Sequence, residues 1–458
     1  MSRGKDWVAV TPDGRFDGTP RAWRQIAWRF SEKLFDIAPA EAFFGDFFLP
    51  GLLGDVLQDR LAVAPATVGQ KDRRMPLGAL TAAVPPVDSR SVRLRIVVRE
   101  AAPDAQHKTG SGARDLRLFC NGALVKSWPG EIRGPVEIDA PLVSGPNAFS
   151  AYAFNHDNVK SEDAAFTSSG PAAPAAKPKL HVLAVGIDKY ANPDFELRFA
   201  VADALSVANG LADSVNRLGR YSVEPMMLLD PDATRERIRR ALAGLSRTVE
   251  PEDAVIVFFA GHGVAIGDRF YLLPRDLGYT GKRTDIDGAA LAQLAANGIS
   301  DQDLEKLLAT IDARHIALIF DACNSGQALE TAEKRRGPLN STGLAQLAYE
   351  KGMYILTASQ SFEAALETGS CGHGLLTWAL VEDGLKTAAP DRAPKDGMVS
   401  LIEWLEFAVD RVPQLQLNSD ATRGAALVNR ARAPGRQQPR LYYRVAEGSE
   451  PLVIASPK

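Results

Sequence analysis

The chain has 458 residues, 45% hydrophobic and 24% charged, with 53 basic against 56 acidic residues for a net charge of −3. That length fits about three domains and the composition supports sizeable cores, while the near-neutral balance argues against nucleic-acid binding through bulk charge. Three cysteines cannot make a disulfide framework, no apolar run is long enough for a transmembrane helix, and the first residues lack the apolar core of a signal peptide. The expectation is therefore a cytoplasmic protein with reduced thiols and neither membrane nor nucleic acid as partner.

Residues 1–84 read as an irregular, aromatic-rich segment. A short strand leads from Trp7 into a turn at Pro12-Asp13-Gly14, and Trp23, Trp28, Phe30, Phe43, Phe44, Phe47 and Phe48 follow without a clean period, as in a packing segment. Residues 85–167 look all-β, with alternating runs at 92–98, 115–120, 136–138 and 147–154 and a hairpin signal at Asn121-Gly122. This predicts a small Ig-like β-sandwich with Cys120 as a core thiol. Residues 168–179 form a Pro/Ala-rich linker.

From 180 to 458 apolar runs alternate with helical patterns. Strands are expected at 180–187, 223–229, 254–260, 315–321 and 353–358. Helices are expected at 199–217, 234–246, 301–311 (with Ser300 as N-cap), 375–385 and 401–412. Uninterrupted apolar strands between helices predict an α/β fold, a mostly parallel sheet with helices on both faces.

Open α/β sheets bind ligands beyond the carboxyl ends of their strands. The third strand is predicted to end in Ala260-Gly261-His262-Gly263 and the fourth in Asp321-Ala322-Cys323-Asn324-Ser325-Gly326. If these strands are neighbours, His262 and Cys323 meet at one edge. Such a pair supports attack on a carbonyl: the imidazole takes the thiol proton and later protonates the leaving amine. Gly261 and Gly263 would let the backbone pass close to a substrate, and the N–H groups of Gly263 and Cys323 could hold a tetrahedral oxyanion. Taken singly, a histidine among glycines is usually a loop residue and a cysteine after a strand usually a core residue. On spacing alone, catalytic and structural roles both stay open.

These two blocks resemble the active-site blocks of caspase-like cysteine peptidases, in particular the bacterial metacaspase-like branch. Supporting blocks recur in order: Val185-Gly-Ile-Asp-Lys-Tyr190, Phe199-Ala-Val-Ala-Asp-Ala204, Ile299-Ser-Asp301, Thr357-Ala-Ser-Gln360 with Glu363-Ala364, and Gly372-His-Gly-Leu-Leu-Thr377. The similarity spans about residues 179–385. It implies that His262 is the base and Cys323 the nucleophile, with no third orienting residue evident. Asp321 lies two residues before Cys323, hence on the same strand face. The resemblance places Asp321 and Asp203 in the pocket for the residue before the scissile bond, where two carboxylates would select Arg or Lys. Ala260 departs from the serine that many metacaspases carry there.

The basic stretch Glu333-Lys-Arg-Arg-Gly-Pro338 matches the linker cut on activation in many such enzymes, making Lys334, Arg335 and Arg336 candidate processing sites; Lys282-Arg283 is a weaker second candidate. The implied function is a cysteine endopeptidase acting on protein substrates with basic P1 residues, switched on by processing, a partner protease or a sensor protein in a stress, defence or cell-death pathway. No cofactor is required by this chemistry. Calcium, used by some metacaspases, finds only Asp230 and Asp232, which do not make a convincing site. Cys371 and His373 are read as structural rather than as metal ligands. Two alternatives stand beside the peptidase: a catalytically silent scaffold of the same fold, and a thiol-dependent hydrolase or transferase for small substrates.

Overall fold

The computed structural model describes residues 6–32, 36–59, 61–86, 88–172, 176–266, 269–308, 310–324, 342–358, 367–368, 372–387, 389–392, 394–422, 437–445 and 450–456; at 323–324, 367–368 and 418–422 the description is of the backbone. The chain divides into two compact units. One contains residues 1–175 together with 349–352 and 443–450, and the other contains 176–348, 353–442 and 451–458.

The first unit opens with short elements where an irregular segment was expected. Val8–Val10 pairs antiparallel with Phe16–Gly18, and Ala27–Arg29 with Ile37–Pro39. The aromatic residues between them do pack: Phe16, Trp23, Phe44 and Phe48 are buried, and Phe44 and Phe48 stack with centroids 4.5 Å apart. Seven antiparallel strands follow, β1 (Leu77–Ala82), β2 (Ser91–Arg99), β3 (Arg114–Cys120), β4 (Ala123–Glu131), β5 (Val136–Pro141), β6 (Pro146–Phe154) and β7 (Ala164–Ser169). They form two sheets, ordered β1-β2-β5 and β7-β6-β3-β4. Val92, Leu94 and Ile96 from one sheet and Leu116, Leu118 and Phe149 from the other share one core. The strict alternation of buried and exposed residues along β2 is the signature of a sheet with one wet face. Asn121 (φ 52°) and Gly122 (φ 87°) are both left-handed and make the tight turn between β3 and β4 that the sequence signalled. Cys120 is only half-buried, at the rim of the core rather than in it.

Two later segments complete this unit. The Tyr349 ring stacks on Phe44 at 4.3 Å and its hydroxyl hydrogen-bonds the Glu41 carboxylate. The buried Arg444 guanidinium pairs with Asp163 and lies 4.2 Å from the Phe119 ring centroid.

The second unit contains β8 (Lys179–Gly186), α1 (Ala200–Leu218), β9 (Ser222–Leu229), α2 (Arg235–Thr248), β10 (Ala254–Ile266), β11 (Arg269–Leu272), β12 (Ile299–Ser300), α3 (Asp301–Leu308), β13 (His315–Asn324), β14 (Tyr354–Thr357), α4 (Leu375–Leu380), α5 (Leu401–Thr422) and β15 (Arg440–Tyr442). Six strands of the main sheet follow the order β9-β8-β10-β13-β14-β15, with every pairing along that path parallel except β14 with β15; β11 and β12 join the same sheet by antiparallel pairing. On one face, Val182, Ala184, Ile256, Phe258, Ala317 and Ile319 pack against α1, α4 and α5 in a single core. The alternate residues Leu183, Val185, Val257, Phe259, Leu318 and Phe320 are buried as well, so both faces are covered. Helix α1 begins where Asp188 accepts the Ala200 N–H at 2.8 Å and ends at Gly219, whose φ of +67° suits glycine at a helix stop. Ser300 caps α3 as expected, its hydroxyl accepting the Asp303 N–H at 3.0 Å.

The third and fourth strands are longer than predicted. β10 runs past Ala260 to Ile266, and β13 past Asp321 to Asn324. Each prolongs the other's ladder up to the pair Gly263↔Asn324, and β11 folds back antiparallel onto Gly263–Ile266, so the extended backbone has partners on both sides. Among the described residues no helix is long and apolar enough to cross a membrane.

Candidate active site

The ladder between β10 and β13 sets Ala260 opposite Asp321, Gly261 opposite Ala322 and His262 opposite Cys323. Two residues 61 positions apart in sequence thus become direct cross-strand partners. His262 is fully buried. Its backbone N–H donates to the Tyr190 hydroxyl at 2.7 Å, and its ring lies edge-on to Phe195 at 5.7 Å. Its Nε2 is 2.8 Å from the Phe195 carbonyl oxygen, which can only accept, so Nε2 carries the proton. Nδ1 keeps its lone pair and has no hydrogen-bond partner among the described residues. Burial, reinforced by the nearby Arg283 charge and only partly opposed by the Phe195 carbonyl, pushes the imidazole down to about 3. The ring is therefore neutral at physiological pH, in one defined tautomer.

The Phe195 carbonyl is the orienting group that the sequence did not reveal. It ends a single 3₁₀ turn, Pro193–Phe195, capped by the Asn192 side chain accepting from the Asp194 N–H at 3.1 Å. The amide end of Asn192 donates to the carbonyls of Tyr279 and Gly281 at 3.1 and 2.8 Å, tying the turn to the loop that carries Lys282 and Arg283. Any residue type can present a carbonyl, so composition holds no sign of this role; the only sequence signal was the Asn-Pro turn pair.

Gly261 and Gly263 have an internal reason to be glycine. A Cβ at 261 would stand 2.8 Å from the Tyr190 hydroxyl, and one at 263 would stand 2.6 Å from the Phe270 ring. These contacts are with buried groups of the protein itself, Tyr190 and Phe270.

Asp203 and Asp321, far apart in sequence, converge. Asp203 is buried on the first turn of α1 and Asp321 is buried on β13. Asp203 accepts His373 Nδ1 at 2.9 Å and the Gly374 N–H at 3.2 Å, and Asp321 accepts the Thr377 hydroxyl at 3.2 Å. Burial raises the Asp203 carboxyl, with hydrogen bonds from His373, Gly374 and Thr377 holding it back. The Asp203 contact raises His373 above an ordinary histidine. Ala260, 1% exposed, lies across the ladder from Asp321.

The other candidates have different fates. Asp230 accepts the backbone N–H groups of Asp188 and Lys189 at 2.7 and 2.8 Å, and Asp232 pairs with Arg237. Among the described residues no group of three or more His, Cys, Asp or Glu is arranged to hold a metal. Lys334, Arg335 and Arg336, along with Ser325, Gly326, Gln360, Glu363, Ala364 and Cys371, lie outside the described residues.

A family model, the caspase domain, matches residues 179–424, more than half of the chain. Among curated proteins the chain is similar to Metacaspase-1A of Neurospora crassa, 26% identical over 251 residues covering 52% of this chain and 51% of that protein. It is also similar to Metacaspase-1 of Pyricularia oryzae, 28% identical over 193 residues covering 40% of this chain and 46% of that protein. The chain spans about half the length of the curated relatives it matches. Among solved structures, the Drosophila initiator caspase Dronc aligns over 60% of this chain and 82% of its own, at 12% identity and a TM-score of 0.30, a likeness too weak to add to the family match.

Proposed function

The chain belongs to the caspase-domain family, and from that premise we propose that it is a cysteine endopeptidase cutting protein substrates after Arg or Lys, with His262 as base and Cys323 as nucleophile. The observation that carries this reading is the ladder partnership of His262 with Cys323, together with a neutral imidazole whose Nε2 is anchored and whose Nδ1 lone pair has no partner among the described residues. In the proposed reaction Nδ1 takes the thiol proton as sulfur attacks the scissile carbonyl. The N–H groups of Gly263 and Cys323 hold the oxyanion. The imidazolium then protonates the leaving amine, and water hydrolyses the thioester with the same imidazole as base. The Phe195 carbonyl holds the ring through this cycle and favours the imidazolium that forms transiently, a positioning role. The paired carboxylates of Asp203 and Asp321 give the reading its preference for a cationic P1 side chain.

Fluorogenic peptides ending in Arg, Lys, Asp or Ala before the reporter test all of this together. Wild type is expected to favour Arg and Lys, Cys323→Ala to lose turnover, and Asp321→Asn to lose about 3 kcal/mol of kcat/KM for basic peptides as the buried charge pairing goes. Equal cleavage of all four peptides would remove the acid-pocket reading; turnover surviving in Cys323→Ala would remove the nucleophile. Intact-mass measurement of the active preparation checks self-processing at Lys334–Arg336, which requires fragments ending there in wild type and none in Cys323→Ala.

A further inference from the structure

The pocket between Asp203 and Asp321 has two more members, on the short strand that leads into α4. Gly374 sits between the carboxylates: a methyl built on it would stand 3.0 Å from Asp321 Oδ2 and 3.1 Å from Asp203 Oδ2. Both oxygens therefore face the space that the missing side chain leaves. The backbone there has φ −64°, ordinary for any residue, so glycine is not needed for conformation. What a side chain would cost is the gap itself. His373 stands beside it, with Nδ1 2.9 Å from Asp203 Oδ1 and Nε2 3.4 Å from the Ser206 hydroxyl. His373 thus tethers Asp203 through Oδ1, and the Gly374 N–H lies 3.2 Å from both of its oxygens.

We propose that His373 and Gly374 are specificity-determining residues of this pocket: the glycine keeps the space between the carboxylates open, and the histidine sets how much negative charge that space presents to a basic side chain. This deepens the acid-pocket reading and rests on it. The charged groups acting on His373 are Asp203 on α1, and Glu382 and Lys386 beyond α4; Asp321 on β13 faces it across Gly374. Protonated, His373 neutralises Asp203 and leaves Asp321 as the uncompensated charge. Deprotonated, it donates or accepts a hydrogen bond without charge, and the pocket carries both carboxylates. The Asp203 contact lifts the histidine above its ordinary value, so this change comes at a higher pH than for an ordinary histidine. Affinity for a cationic side chain then rises with pH through that titration, and the change appears in KM rather than kcat, because His373 does not touch the reacting atoms.

The test is KM and kcat for an Arg peptide and an Ala peptide, from about pH 5.5 to 8.5, in wild type, His373→Gln and Gly374→Ala, with unfolding midpoints for each protein. In wild type, KM for the Arg peptide is expected to fall about tenfold as pH rises, the scale of one partly screened charge pair, while KM for the Ala peptide stays level. His373→Gln keeps a hydrogen-bond donor for Asp203 without a charge, so its KM for Arg should be low and flat over the same range. Gly374→Ala should raise KM for Arg by about tenfold at a near-native unfolding midpoint. Wild-type and His373→Gln curves that coincide while Arg preference persists would overturn this inference alone. Loss of Arg preference in wild type would overturn the acid-pocket reading and this inference with it.

Discussion

Burial carries the His262 imidazole so far below its usual range that it cannot serve as a standing positive partner for a thiolate. Under the proposed mechanism, the anchored Nε2 and the lone pair on Nδ1 suit a base that works during attack and not an ion pair formed beforehand. The sign is definite: a histidine lowered to about 3 is neutral at every pH above that value, so it neither gains a proton nor loses one between pH 5 and 8. In the proposed mechanism the Cys323 thiol therefore gives up its proton as sulfur attacks and not before substrate arrives. Its rate of alkylation by iodoacetamide in the substrate-free enzyme is expected to rise steadily from pH 6 to 9. A plateau already reached at pH 6 would mean that a thiolate–imidazolium pair exists before substrate arrives. At this scale the sequence singled out His262, Asp203 and Asp321, and the structure places His262 across the ladder from Cys323 and both aspartates beside Gly374. The sequence was silent on Phe195, because the atom that matters there is a backbone oxygen.

Among the elements, the paired extensions of β10 and β13 matter most. Had β10 stopped at Ala260, His262 would sit in a loop with no defined neighbour; the continued ladder is what sets it opposite Cys323. The extension depends on small residues at the crowded points. Gly263→Ala would drive a methyl into the Phe270 ring, whose nearest atoms lie 2.6 and 2.7 Å from the Cβ position. Overpacking of this kind costs about 1–3 kcal/mol. Urea unfolding should show that loss, and kcat should fall with it as the His262 strand shifts. Unchanged stability would mean that Phe270 can yield without strain. The helices and inner strands were legible because their apolar periods run unbroken for several turns or residues. The strand ends were not, since glycine-rich backbone carries no period and is extended only because β11 and β13 flank it.

At the scale of the whole molecule, the first unit is not contiguous in the chain. Its β-rich body is completed by Tyr349 against Phe44 and by Arg444 between Asp163 and the rings of Phe119 and Tyr152. Arg444 is 7% exposed at its side chain, and its partner Asp163 is 35% exposed, so the pair is partly screened. Arg444→Ala, which removes the ion pair and the cation–ring contacts together, should cost about 2–4 kcal/mol. Hydrogen exchange locates the effect: amides of β3 and β6 are expected to exchange faster, while those of β8 and β10 stay protected. Equal acceleration in all four strands would show that the two units unfold as one. Nothing in the composition near Arg444 signalled this, because its partners lie some 280 to 325 positions earlier in the chain.

The linear order of residues was enough to establish the α/β class, the all-β region before it and the turn at Asn121-Gly122. Those features are local: periodicity, turn preference and residue type act over a few neighbours. Folding decided which strand faces which, where each ladder ends, which nitrogen of His262 holds its proton, that His373 tethers Asp203, and that Gly374 lies against two carboxylates 118 positions distant in the chain. Each of these depends on a backbone group or on a contact between remote segments. Every residue offers the same N–H and C=O, and the partner that satisfies them is chosen only when the core closes.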